Sequence, residues 1–243
     1  MEKSELISVY QNTKRLCSDI QVPLSEKYNF ESFEEEWQLL HKGEIIVEPI
    51  DAVSAIINYS GQGKIAVLNM ANAYNKGGGV EKGSMAQEEC LFRCSNLFMI
   101  PDEFYPIKKD ELIYTHGVSF IKNFYYSTIY PVTTDVITAA AYNLNPNHSG
   151  KEIVDMNDYI PYMERAVNLI VNSAAKNDCD IIILGAWGCG AFKNEPEIVA
   201  DVFKTVLKEK RYLFNKVIFA VINDRNSVGN NFEIFKKAFD EQS

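Results

Sequence analysis

The sequence predicts an α/β fold of three layers, with helices on both sides of a central mixed sheet. Three observations carry this expectation. The segments KIAVLNM (64–70), DIIILGAW (180–187) and KVIFAVIN (216–223) are almost continuously apolar, the pattern of strands buried on both faces. Amphipathic stretches of helical length alternate with them, which is the order that builds a mostly parallel or mixed sheet. Glycine-rich stretches stand directly after two of these strands, where open α/β sheets keep their ligand loops.

From the N-terminus, residues 4–17 show helical periodicity, with Leu6, Ile7, Tyr10 and Cys17 on one face. EIIVEPI (44–50) reads as a strand, and DAVSAIINYS (51–60) as a helix capped by Asp51. After strand 64–70 comes the loop with Gly77-Gly78-Gly79, then a helix from Ser84 to Leu97. ELIYTHGVSFI (111–121) and VITAAA (136–141) read as weaker strands, followed by a helix from Ile160 to Lys176. Strand 180–187 passes through a second glycine-rich turn into the helix PEIVADVFKTVLKE (196–209); strand 216–223 and the helix NFEIFKKAF (231–239) complete the pattern. No repeat, low-complexity tract or Pro/Gly/Ser linker interrupts it. One domain over 1–243 is expected, with 1–43 as an N-terminal helical extension packed on it.

Composition narrows the function. Twenty-four basic and thirty-three acidic residues give a net charge of −9, which argues against broad electrostatic capture of nucleic acid or of an anionic membrane. An anionic ligand would have to be bound by local backbone donors. The start of the chain, MEKSELISVYQ, lacks the apolar core of a signal peptide, and no apolar run approaches the roughly 18 residues of a membrane span. The five cysteines (Cys17, Cys90, Cys94, Cys179, Cys189) have no framework spacing, so buried free thiols in a reducing cytoplasm are expected. Cys90 and Cys94 share a helix face, but no second Cys/His pair completes a zinc site, and His41, His116 and His148 are far apart in sequence. The sequence therefore implies no metal and no other cofactor.

Two loops carry the chemistry. In NMANAYNKGGGVEKGSMAQEE (69–89), consecutive glycines let the backbone take positive φ and pass close to a ligand, although a flexible surface loop would look the same. Ser84 and Gln87 have capping-box spacing for the following helix. Glu88 and Glu89 would then sit in its first turns, where acidic residues also serve simply to stabilise the helix dipole. The second loop, Gly185 to Asn194, leads into a helix with Asn194 as expected N-cap. Its glycines would expose successive N–H groups suited to a diphosphate; the bland alternative is a tight turn with Trp187 and Phe192 in the core. A Rossmann dinucleotide site fits poorly, because the glycines come late in the chain and no well-placed acid follows about 20 residues on.

Taken together, GGG (77–79), seven residues, then QEE (87–89) resembles the signature of poly(ADP-ribose) glycohydrolases, and the whole chain resembles their compact microbial type. VLNMANA, YTHGVSF, ILGAWGCGAFKNEP and VIFAVIN extend the likeness in the same order. Met70, Lys76 and Thr115-His116-Gly117 depart from the family pattern without touching GGG or QEE. The resemblance implies a three-layer α/β/α macrodomain fold and ADP-ribose as the bound unit. It implies that Glu89 is the catalytic glutamate and that Glu88 orients the ribose at the scissile bond. Gly77, Gly78 and Gly79, with Val80, Gln87, Asn69 and Asn72 around them, would wrap the diphosphate and that ribose. Gly188, Cys189, Gly190 and Ala191 would form the second diphosphate loop, with Phe192 as an aromatic lid. Asp51 and Asn223 are candidates for the adenine end.

The implied reaction breaks a ribose–ribose O-glycosidic bond through an oxocarbenium-like state. One carboxyl protonates the leaving oxygen and later takes a proton from water; Glu89 would be kept neutral until needed, the substrate's diphosphate helping by like-charge repulsion. Poly(ADP-ribose) or ADP-ribosylated protein would be the substrate and ADP-ribose the product, with no membrane or direct nucleic-acid partner. Competing readings are a non-catalytic ADP-ribose-binding macrodomain, a hydrolase of single ADP-ribose units, and, on weaker grounds, a Rossmann oxidoreductase.

Overall fold

The computed structural model describes residues 1–33, 38–145, 156–223 and 229–240. His148 lies outside the described residues. Seven strands form one mixed sheet: β1 (Ser25–Asn29), β2 (Glu44–Glu48), β3 (Ile65–Met70), β4 (Glu111–Lys122), β5 (Thr128–Ala139), β6 (Ile181–Leu184) and β7 (Lys216–Ala220). Their order across the sheet is β1-β4-β5-β3-β6-β7-β2. The pairs β5/β3, β3/β6, β6/β7 and β7/β2 are parallel, whereas β4 runs antiparallel to both β1 and β5.

The helices are α1 (Lys3–Leu16), α2 (Ala52–Tyr59), α3 (Gln87–Cys94), α4 (Met156–Lys176), α5 (Pro196–Lys210) and α6 (Asn231–Asp240). The central strands bury both faces, as their unbroken apolar sequence requires. Ala66 and Leu68 of β3 join the core shared with α4, α5 and α6, while Ile65 and Val67 join the core shared with α1, α2 and α3. The three-layer expectation holds.

Several local expectations shift. Residues 25–29 lie within the stretch read as a helical extension, yet SEKYN pairs antiparallel with β4 as an edge strand. Its mixed-charge, half-exposed pattern hides it from periodicity, since an edge strand need bury little. β5 begins eight residues before VITAAA, because TIYPVTTD forms the exposed half of a long hairpin with β4. The helix expected from Ser84 to Leu97 is shorter. Ser95 turns extended, pairs with Phe120, and spends its hydroxyl on Leu91 O and Leu97 N–H, a serine competing with the helix for backbone partners.

Among the described residues no helix is long and apolar enough to cross a membrane. All five cysteines are free and buried, as expected. No group of three or more His, Cys, Asp or Glu among the described residues could hold a metal ion.

Candidate active site

Because β3, β6, β7 and β2 are parallel neighbours, their C-terminal ends open on the same side of the sheet. The segments that follow them line one pocket: Met70 to Asn72 with Gly78 and Gly79, then Ala186 to Phe192, then Ala220 to Ile222, then Asp51 to Val53. Three strand spacings of about 4.8 Å each make this a trough about 14 Å long, suited to an extended nucleotide laid across the strand ends. The N-terminus of α3 and Asn231 of α6 supply the remaining polar wall.

Glu88 and Glu89 stand in the first turn of α3, both buried and both lining the pocket. Glu89 Oε1 accepts the Gly79 N–H at 2.8 Å, and Oε2 accepts the Ala86 N–H at 2.7 Å. Glu88 Oε2 accepts the Asn72 N–H at 2.9 Å, and the Gly77 backbone and the Asn69 side chain lower its pKa from nearby. Glu88 Oε1 is buried without a hydrogen-bond partner among the described residues.

The glycine triplet is shaped for this pair. Gly77 and Gly78 have φ of +73° and +58°, values that cost an L-residue energy. A Cβ on Gly78 would stand 2.5 Å from Glu89 Oε1 and 3.0 Å from Glu88 Oε2; one on Gly77 would enter the Phe92 ring. The resemblance gives the triplet to the diphosphate and the ribose at the scissile bond. In the structure two of its amides are already committed, Gly78 to Asn75 O and Gly79 to Glu89 Oε1. The triplet is first a cradle for two carboxyls.

The capping box expected from Ser84 and Gln87 is corrected. Ala86 is the N-cap of α3, and Glu89 is the N3 residue that reaches back to it. Gln87 instead donates to Leu68 O at 2.7 Å and accepts from Met70 N–H at 2.9 Å, tying α3 to the end of β3. Asn72 Oδ1 holds the N–H groups of Tyr74 and Asn75, setting the entry to the glycines. Asn69 and Val80 are buried beneath the site rather than on the pocket wall.

In the second loop Gly188 (φ +78°) packs so closely that a Cβ would meet Asn194 Nδ2 at 2.5 Å. Asn194 is not the N-cap of α5; Glu195 holds that position, with Pro196 opening the helix. The buried Asn194 side chain donates to Tyr142 O and Gly188 O and accepts from Tyr159 Oη, clipping the loop from below. Cys189 points into the core, whereas Gly188, Gly190, Ala191 and Phe192 line the pocket. The N–H groups of Gly190, Ala191 and Phe192 find no backbone acceptor among the described residues, so they are available to an anion.

At the far end, Asp51 lines the pocket and also caps α2, its carboxylate accepting from Ser54 N–H and Oγ. Asn223 is corrected. It does not line the pocket but faces α6, bonding Asn230, Glu233 and the Phe232 N–H. The residue at that end is Asn231, 4% exposed, with Oδ1 unpartnered among the described residues. Phe124, in the turn between β4 and β5, also lines the pocket. Sequence reading missed both; three consecutive aromatics in the polar turn NFYYS were the signal for the second, while Asn231 looks like any residue opening a helix.

Burial pushes the Glu88 carboxyl up to about 8, with repulsion from Glu89 adding and the bond from Asn72 and the nearby Asn69 and Gly77 groups offsetting part of the rise. Glu88 therefore holds its proton through the neutral range. A folded pKa raised above the unfolded one means that the native state binds more protons across that window, so this group's contribution to stability is present at low pH and lost as pH rises towards about 8. Thermal unfolding of the native chain from pH 5 to pH 9 should show a falling midpoint that is flattened in Glu88→Gln. Parallel profiles for the two would contradict the assignment.

A three-layer fold thus places two buried carboxyls and an open-amide loop in one pocket at the ends of its parallel strands. Residues 10–123, which hold the glycine triplet and both glutamates, match the family model described as microbial-type PARG, catalytic domain. No curated protein sequence matches the chain. Among solved structures, the fold is similar to poly(ADP-ribose) glycohydrolase from Thermomonospora curvata, with TM-score 0.83 at 21% identity, covering 97% of this chain and 100% of that one. The same enzyme bound to the inhibitor ADP-HPD gives 0.82 at 23% identity, with the same coverage. The Deinococcus radiodurans glycohydrolase in complex with ADP-ribose gives 0.78 at 24% identity, with 98% of each chain covered.

Proposed function

We propose that the protein hydrolyses the ribose–ribose O-glycosidic bond of poly(ADP-ribose), releasing ADP-ribose from chain ends as a single-unit enzyme. The observation that carries this reading is the pair Glu88 and Glu89, set beside the glycine triplet in one pocket and lying within the stretch that matches the family model. A binding module would not require two buried carboxyls at the same glycine, since burial of each costs free energy. Solved structures with ADP-ribose or ADP-HPD belong to proteins of the same fold, which supports ADP-ribose as the ligand.

In this reading the terminal ribose lies over Gly78 against the two carboxyls. Glu89 protonates the departing 2′-oxygen and then takes a proton from the attacking water. Glu88, protonated and with Oε1 free, holds a ribose hydroxyl. The diphosphate sits on the amides of Gly190 to Phe192, and the adenine falls at the Asp51 and Asn231 end, where the Asn231 carbonyl can accept from its amino group. No step calls on a metal or redox cofactor. Five buried thiols accord with a reducing, cytoplasmic setting.

End-wise cutting follows from charge. Each polymer unit carries two phosphates, and a protein of net charge −9 repels an extended stretch at close range despite a Debye length of about 8 Å. A length-resolved digestion of long polymer should show ADP-ribose from the first time points while long chains shorten gradually. Early accumulation of free oligomers would overturn the end-wise reading.

A further inference from the structure

Glu89 is held by two amides, and one of them rests on a charge that the reaction itself does not use. Arg93 stands one turn along α3 from Glu89, its side chain fully buried at 0% exposure. Its Nη2 donates to Ser84 O at 2.5 Å and its Nε to Leu6 O of α1 at 3.2 Å; the guanidinium lies over the Tyr126 ring, 6.0 Å from its centroid, and Nη1 has no hydrogen-bond partner among the described residues. Among the described residues no carboxylate forms an ion pair with it. Burying an unpaired guanidinium is costly, and an apolar residue would pack α1 against α3 without that cost.

The geometry points to Arg93 as the positioning residue for Glu89, through the turn Ser84 to Ala86. The connections form a closed circuit. Gly79 N–H holds Glu89 Oε1, Gly79 O accepts the Ser84 N–H at 3.1 Å, Ser84 O accepts Arg93, and two residues on the Ala86 N–H holds Glu89 Oε2. Arg93 fixes the Ser84 carbonyl of this circuit. The second anchor is α1. Leu6 O fixes the guanidinium from the other side, Thr13 Oγ1 donates to Arg93 O, and the α1 backbone at Lys3 closes over Gly83 so tightly that a Cβ there would stand 2.7 Å from Lys3 O. Lys14 and Gln11 of α1 also bond Glu81 within the same turn. The N-terminal helix thus serves the site by holding the arginine that holds the loop.

This role rests on Glu89 being the catalytic residue, and the test separates the two claims. Arg93→Lys keeps the charge but replaces a planar fork with one ammonium, which cannot serve Ser84 O and Leu6 O together. Thr13→Val is the control: it loosens α1 while leaving the guanidinium on Ser84. Measured well below each melting point, Arg93→Lys should lower kcat by roughly tenfold or more, the scale of a slightly misplaced catalytic group, with KM nearly unchanged. Amide exchange within residues 78–86 should rise in the same variant. Thr13→Val should lose thermal stability with neither change. Wild-type kcat and exchange in Arg93→Lys would overturn the inference, as would equal losses in Thr13→Val at matched stability. If Arg93→Lys does not fold, Arg93→Gln replaces it, and failure of both to fold assigns Arg93 to the fold alone and overturns the inference. The exchange readout needs no turnover, so a wild-type protein that does not cleave polymer would sink the glycohydrolase reading and leave this one measurable.

Discussion

Glu89→Gln is expected to lower the hydrolysis rate by roughly 10²–10⁴-fold, the usual worth of a positioned proton donor and acceptor, while ADP-ribose affinity stays within a few-fold. The amide keeps the size of the carboxyl but cannot pass a proton. Here it is also not a silent replacement. Both oxygens of Glu89 accept backbone N–H groups, from Gly79 and Ala86, and the glutamine NH₂ must face one of these donors. A buried donor left unpaired costs about 1–3 kcal/mol, and in a chain of this size each kcal/mol moves the melting point by about 2–4 °C. A modest fall in thermal stability should therefore accompany the loss of rate. Near-normal turnover in the variant would remove Glu89 from the chemistry. Glu88→Gln should reduce the rate less, because the role proposed for Glu88 is to hold a ribose hydroxyl, which glutamine can partly imitate.

Gly78→Val is expected to abolish productive binding at a smaller cost to the fold. The position has φ +58°, which a β-branched residue resists, at about 1–3 kcal/mol of strain. Its Cβ would stand 2.5 Å from Glu89 Oε1 and 3.0 Å from Glu88 Oε2, so the side chain displaces both carboxyls before any ligand arrives. A displacement of about 1 Å at a reacting group can cost about 100-fold in rate, and ADP-ribose affinity should fall with it because the same methyls occupy the ribose place. Calorimetric binding and thermal unfolding measured on the same preparation decide the matter. Affinity and melting point falling in proportion would make the triplet a structural turn.

Much of the fold was legible because its central strands are buried on both faces and so carry unbroken apolar runs; 64–70, 180–187 and 216–223 all lie on strands of the sheet. β1 escaped because an edge strand with adjacent charged residues, Glu26 and Lys27, has no such run. The candidate site was legible where residue types recur in order, as in GGG and QEE, and the structure brings Gly78 and Gly79 together with Gln87, Glu88 and Glu89 on one pocket wall. What sequence could not supply was direction. Asn223 and Asn231 are both asparagines near the end of the last strand, yet one turns towards α6 and the other into the pocket. Asn194 has the spacing of a helix cap and serves instead as a buried clip under Gly188. Gln87 likewise bonds a strand rather than its own helix, because Glu89 already occupies the position from which α3 is capped. Local spacing counts the available partners along one chain segment; tertiary contact brings others.

The most direct measurement is incubation of the wild-type protein with auto-modified, poly(ADP-ribosyl)ated protein, with quantification of free ADP-ribose over time. Rapid release of ADP-ribose, absent in a parallel incubation with Glu89→Gln, is the result this structure requires. Polymer that stays intact while the protein binds ADP-ribose would contradict it, leaving a recognition module whose buried carboxyls only hold a sugar.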